Sequence, residues 1–372
     1  MQKAYYARGL GFLPRVVLII TIGLITAVTS YQATATDVFT DPVGFITVSA
    51  EGTNGHAGAT ALSFWGLGMA QLPVQKGILN SVSGKTLTDL NGNFANNQYS
   101  GAGVQYEIEI TSSNNAGLVD VISNTTASIT LGTMNDLSSM ISSGNTYLIR
   151  PSWTLDTLFG SNVVSGNNQS GIKGGTGNGN ADNVQVWNPV AQGFTVYWFK
   201  TNGNQGGSGW RQGTANTVPA GTNGLFIDQG MIVLRRAANT TNVLLVGAVK
   251  LGQTVSPVIQ QAAPGLTFLA NVYPASFTLS NSLLFTGNES TGLHGGTGNG
   301  NADNAQIWNP AVQGFAVYWF KTNGNQGGSG WRQGTANTID VGQTNISIGS
   351  MILLQRRVST TFNWLMAQPF VQ

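Results

Sequence analysis

The sequence predicts an all-β protein: tandem β-sandwich or barrel-like domains with a duplicated module, preceded by a signal peptide. Three observations carry that expectation. Short runs of β-branched and aromatic residues, the types that suit a pleated surface, recur along the chain. Asn-Gly pairs at 54, 91, 178, 202, 223, 299 and 323 punctuate those runs with turn signals. Residues 171–217 and 292–338 align without a gap at an offset of 121, with 40 of 47 positions identical.

Taken in order, the first 35 residues read as an export leader. Lys3, Arg8 and Arg15 precede a charge-free apolar stretch, Val16 to Val28, and Ala33-Thr34-Ala35 has the small-x-small form of a cleavage site. The stretch is short for a membrane span, so cleavage is expected over anchoring, and membrane contact is expected only through an uncleaved leader. Removing it takes three of the 16 basic residues and leaves 13 against 14 acidic ones, a formal net charge of −1. The expected location is secreted or at the cell surface.

Residues 36–160 read as an N-terminal β region. Tyr106, Ile108 and Ile110 alternate with Glu107 and Glu109, which predicts one buried and one solvated face. Asn114-Asn115-Ala116-Gly117 turns the chain, and Leu118 to Ile122 returns as a partner strand; Ala127 to Leu131 and Thr146 to Arg150 follow as strands. At most a turn or two of helix is expected near Asn135 to Ile141. Residues 161–244 and 286–372 are the two copies of the module, with a connecting β segment over 245–285. In each copy a run such as Phe194 to Lys200 has apolar residues on both faces, which places it centrally in a sandwich. Asn202-Gly203 after it predicts a tight hairpin. The similarity continues through Met231-Ile232-Val233-Leu234 and Met351-Ile352-Leu353-Leu354 to Arg235-Arg236 and Arg356-Arg357, with a single-residue gap between those stretches. Patchy alternation and frequent glycine argue against a transmembrane barrel.

Composition narrows the function classes. Charged residues are 8% of the chain, against about 25% in an average soluble protein. That scarcity disfavours nucleic-acid binding, which needs clustered Lys and Arg. The absence of cysteine excludes a disulfide or thiolate-metal framework. A module's own site should appear in both copies, and the ionisable residues they share are Asp182/Asp303, Lys200/Lys321, Arg211/Arg332, Arg235/Arg356 and Arg236/Arg357. One shared carboxylate and no shared histidine fall short of a glycosidase pair or a hydrolase triad. GGTGNGN lacks the spacing of a dinucleotide loop and the lysine of a phosphate loop. An enzyme is therefore not expected, and neither is a cofactor. Any site outside the module would draw on Asp89, Glu107, Glu109 and Asp120, which read as a solvated strand face.

Two binding readings survive. Asn178, Asn180 and Asp182, repeated as Asn299, Asn301 and Asp303, place alternating oxygen donors in a Gly-rich turn and could wrap calcium; the competing reading is that these side chains close their own turns. Trp210 with Arg211, and Trp331 with Arg332, could stack on and hydrogen-bond a glycan, whereas Trp187 and Trp198 read as core.

Asp41-Pro42-Val43-Gly44-Phe45, the stretch from Tyr106 to Leu118, Leu155 to Gly160 and the Trp/Arg-rich module resemble a family of uncharacterised secreted proteins present as many paralogues in verrucomicrobial bacteria. The resemblance covers most of the mature chain and implies export. The expected function is a non-enzymatic extracellular or cell-surface structural protein that self-associates into a coat, matrix or fibre, or joins other cell-surface components. The alternative is carbohydrate binding through the Trp/Arg pairs.

Overall fold

The computed structural model describes residues 42–100, 105–111, 118–132, 140–188, 191–203, 205–258, 264–324 and 326–370. The leader, the 114–117 turn and most of the 135–141 segment lie outside them. The chain is all-β, and the sheets do not close into a barrel. Among the described residues the helix Leu155–Phe159 stands alone, capped by Thr154, whose side chain accepts from the Thr157 N–H.

Each copy of the module builds an antiparallel five-stranded sheet. In the first the order is Gly209–Gln212, Gly193–Lys200, Asn183–Asn188, Met231–Arg235, Ala61–Trp65. In the second it is Gly330–Gln333, Gly314–Lys321, Asn304–Asn309, Met351–Arg356, Gly265–Ala270. Gly193–Lys200 lies inside its sheet with a strand on either side, as its two apolar faces require. Asn202-Gly203 does not close a tight hairpin. The 201–208 loop intervenes, with Lys200 Nζ donating to the Gln205 and Asn216 carbonyls at 2.5 and 3.2 Å.

Strand pairing removes the gap expected near Met231. Gln185 pairs with Ile232, and Gln306 with Leu353, so the offset of 121 runs unbroken to Arg235 and Arg356. Met231 is thus the counterpart of Ile352, not of Met351. Side-chain parity enforces this register, because a one-residue slip would turn the buried face outward.

The same registers show a duplicated unit larger than the near-identical text. Leu62-Ser63-Phe64 pairs with the first copy where Leu266-Thr267-Phe268 pairs with the second. Trp153-Thr154 pairs with Gly224-Leu225 as Phe277-Thr278 pairs with Asn345-Ile346. The segments 36–160 and 245–285 therefore supply opening strands of the two copies. Between Ala61–Trp65 and Trp153–Thr154 the first copy carries an inserted seven-stranded sheet, from Gln75–Ile78 to Thr146–Pro151. At the corresponding place the second copy has only the short connection 271–276.

The two five-stranded sheets meet face to face. Trp187 and Ile232 pack with Phe268, Met351 and Leu353, and with the half-buried Phe64, Phe194 and Phe315. Two matching aromatic trios form: Trp187 lies 4.9 Å from Phe194 and 4.8 Å from Phe268, while Trp308 lies 5.0 Å from Phe315 and 4.4 Å from Phe64. Fully burying one such ring contributes roughly 1.5–3 kcal/mol, so this seam holds the halves together. Backbone contacts follow the same symmetry: Gly66 N–H donates to Gly349, and Ala270 N–H to Asp228. A larger core lies on the outer faces of both sheets.

Each copy also ends in a two-stranded ribbon. In the first, Val43–Ala50 pairs with Thr241–Ala248; in the second, Thr254–Val258 pairs with Phe362–Met366. Their inner faces (Ile46, Val48, Val243 and Leu245; Val258, Phe362 and Trp364) join the larger core. Their outer faces differ. Val255 and Leu365, cross-strand partners in the second ribbon, pack into the core of the seven-stranded sheet. Phe45 and Val246, cross-strand partners in the first, are 70% and 59% exposed.

Candidate functional site

The Trp/Arg pairs are not a ligand surface. Trp210 and Trp331 are buried, and Trp210 Nε1 donates to the Gly160 carbonyl at 3.0 Å. Arg211 is also buried and donates to the carbonyls of Asn216 (3.0 Å), Trp210 (2.7 Å), Gly206 (2.5 Å) and Gly207 (2.8 Å). Arg332 repeats every bond on Asn337, Trp331, Gly327 and Gly328. A planar guanidinium presents a rigid fork of donors, and here it closes a Gly-rich loop whose carbonyls would otherwise lack partners. Burial lowers the Arg211 pKa from its ordinary value. The expectation that these residues contact a glycan is corrected accordingly.

The calcium expectation is corrected on similar grounds. Asp182 is buried; its oxygens accept the Lys173 and Arg236 N–H groups at 2.7 and 2.6 Å, and Arg235 Nη1 approaches to 3.2 Å. Asp303 accepts from His294, Arg357 and Arg356 at 2.7, 2.6 and 2.7 Å. Asn180 and Asn301 accept the N–H groups of Thr176 and Gly177, and of Thr297 and Gly298. Asn178 and Asn299 use their carbonyls to receive Asn183 and Asn304. The carboxylates thus fasten the turn to the sheet, and the Asn180 and Asn301 side chains close the turn itself. Among the described residues no group of three or more His, Asp or Glu is placed to hold a metal ion.

The predicted solvated face of the N-terminal region is buried. Glu109 pairs with Arg150 at 2.7 Å and lies 3.8 Å from Lys250 Nζ, all three being buried. Glu107 accepts from Ser152 at 3.1 Å, and Asp89 accepts from the Tyr147 hydroxyl at 2.7 Å. Both faces of the Tyr106–Ile110 strand are covered, one by the inserted sheet's own apolar core and the other by this ionic cluster. Lys250 also donates to the Leu251 and Gln253 carbonyls at 2.9 Å each. Desolvation pulls its ammonium down to about 8, with Glu109 opposing that shift. Nothing in the alternation of Tyr106 to Ile110 distinguishes a solvated carboxylate row from a paired one. Asp120 has no described side chain.

One cavity lined by polar side chains is a feature that sequence reasoning missed. About 530 Å³ in volume, it opens beside the central strands of the first copy, between Trp187, Thr195 and Tyr197 on one side and Asn223, Gln229 and Gln105 on the other. Gln105 comes from the inserted sheet's side of the chain and passes over Gly224, where an added Cβ would collide with its side-chain oxygen. Asn223 Nδ2 donates to the Tyr197 hydroxyl at 3.2 Å, and Gln229 Nε2 to the Trp187 carbonyl at 2.6 Å. The Trp187 indole N–H is buried with no hydrogen-bond partner. No lining residue is charged.

No protein-family model, no curated protein and no solved structure matches this chain.

Proposed function

We propose that this chain is a non-enzymatic, exported structural protein that self-associates through the outer face of its first ribbon. The carrying observation is the contrast between the two ribbons. Val255 and Leu365 are covered by a sheet, whereas Leu244, the counterpart of Leu365 at the 121 offset, faces solvent at 56% exposure together with Val43, Phe45 and Val246 on the same outer face. Neither strand of this ribbon carries a charge, although charge is what ordinarily discourages sheet association. A contiguous apolar face of this kind marks an interaction surface. Lacking charge to set a polarity, it matches its own copy across a two-fold axis, face to face in the manner of stacked sheets.

Absence of catalysis is supported by the ionisable residues common to both copies. Asp182, Asp303, Arg211, Arg332, Arg235 and Arg356 are buried in contacts that close loops. Export is supported by the leader pattern and the family resemblance.

Sedimentation of the protein over a wide concentration range tests the reading. The expected result is reversible association that is abolished in Phe45→Glu/Val246→Lys, with an unchanged melting temperature. A wild-type protein that stays monomeric at high concentration overturns it.

A further inference from the structure

We propose that the cavity at Trp187 binds a neutral saccharide. This goes beyond self-association and does not depend on it, since the cavity and the ribbon face share no residue. Its size falls within the usual range of small-ligand sites, about 300–1,000 Å³.

The chemistry of the wall selects the ligand class. Thr195 and Tyr197 offer hydroxyls, and Gln105, Asn223 and Gln229 offer carboxamides. Each such group can donate and accept, as the hydroxyls of a sugar ring do. With no charge in the lining, a phosphate, carboxylate or ammonium group would enter without a counter-charge and bear its desolvation uncompensated. Trp187 adds an aromatic residue to the wall; its buried N–H is unpartnered, as is that of its counterpart Trp308, so the selectivity rests on the hydroxyls and carboxamides. Gln229 is already oriented by its bond to the Trp187 carbonyl, and Asn223 by its bond to Tyr197. These polar groups are thus held in place before any ligand arrives.

The second copy supplies an internal control. At the 121 offset Thr195 becomes Ala316, Asn223 becomes Thr344 and Gln229 becomes Ser350, and Gln105 has no counterpart because the second copy lacks the insertion. The site therefore belongs to the first copy alone.

Isothermal titration of the full protein with cello-, laminari-, malto- and xylo-oligosaccharides, and with an oligogalacturonate as the charged control, tests the assignment. Saturable binding of at least one neutral series is expected, at one site per chain, with no binding of the charged oligomer. Thr195→Val and Asn223→Ala should each weaken it by about tenfold, the effect of losing roughly one hydrogen bond. Their thermal unfolding should match wild type, which separates lost binding from lost folding. The assignment is overturned if no neutral oligosaccharide saturates at millimolar concentration, if only the charged oligomer binds, or if both variants bind like wild type.

Discussion

Gln192 and Gln313 stand 121 residues apart and act on each other's half of the molecule. The Gln313 carboxamide accepts from the Leu62 N–H at 2.7 Å and donates to the Leu62 carbonyl at 3.2 Å. Gln192 does the same to Leu266, at 3.1 and 3.2 Å. Leu62 and Leu266 lie on the outermost strands of their sheets, so each glutamine imitates the next strand and closes an edge otherwise open to foreign pairing. Both hold φ near +48°, a conformation that costs a non-glycine residue roughly 1–2 kcal/mol. The reciprocal bonds hold them there.

Removing either clamp should lower stability without changing the fold. Gln313→Ala keeps the Cβ, and hence the same backbone strain, while stripping the Leu62 peptide of both partners. The expected loss is about 1–3 kcal/mol, read from urea denaturation midpoints. Gln192→Ala should behave alike. The double variant should also show dimers or aggregates where the single variants do not.

The Asp-containing turns should ignore calcium. Adding millimolar calcium, or stripping divalent ions with a chelator, is expected to leave the melting temperature unchanged. Asp303→Asn, by contrast, exposes the buried Arg356 guanidinium to a loss of its 2.7 Å partner. Breaking a buried pair on one side costs about 3–5 kcal/mol, which calorimetry resolves easily. A calcium-dependent rise in melting temperature that vanishes in Asp303→Asn would restore the metal reading.

Lys250 gives the protein an alkaline stability signature. Its ammonium titrates at about 8 when folded, against 10.5 in the open chain. Between those values the unfolded chain holds a proton that the folded one has released, so stability rises with pH. Burial raises the Tyr147 and Tyr273 hydroxyls above their ordinary 10.0; their effect has the opposite sign and begins only above that pH. From pH 8 to 10 the expected gain is on the order of 2 kcal/mol. Denaturation at pH 7, 8, 9 and 10 should show it, and Lys250→Met should flatten the curve.

Much of the architecture was legible in the residues. The strand at Tyr106–Ile110, the run ending at Lys200 and the repeat all read directly from β-branched and aromatic spacing. The full extent of the duplication was not. Leu62-Ser63-Phe64 and Leu266-Thr267-Phe268 are too short to stand out by eye, and only their shared pairing partners reveal them. The burial of Glu107 and Glu109 depended on Arg150 and Lys250 arriving from distant segments, information that local alternation does not contain. Trp210 and Arg211 followed the same rule. A loop rich in glycine looks open, yet its carbonyls were what the guanidinium required. The cavity at Trp187 needed Gln105 from one part of the chain and Asn223 from another, so no single motif announced it.

The inserted sheet has a consequence for engineering. A seven-stranded body sits between two strands of the first copy while both halves keep matching registers. The matching spot in the second copy, at the exposed Ser276 beside Ala275, is thus a ready splice point. A reporter or enzyme grafted there would occupy the place that its twin already devotes to a passenger.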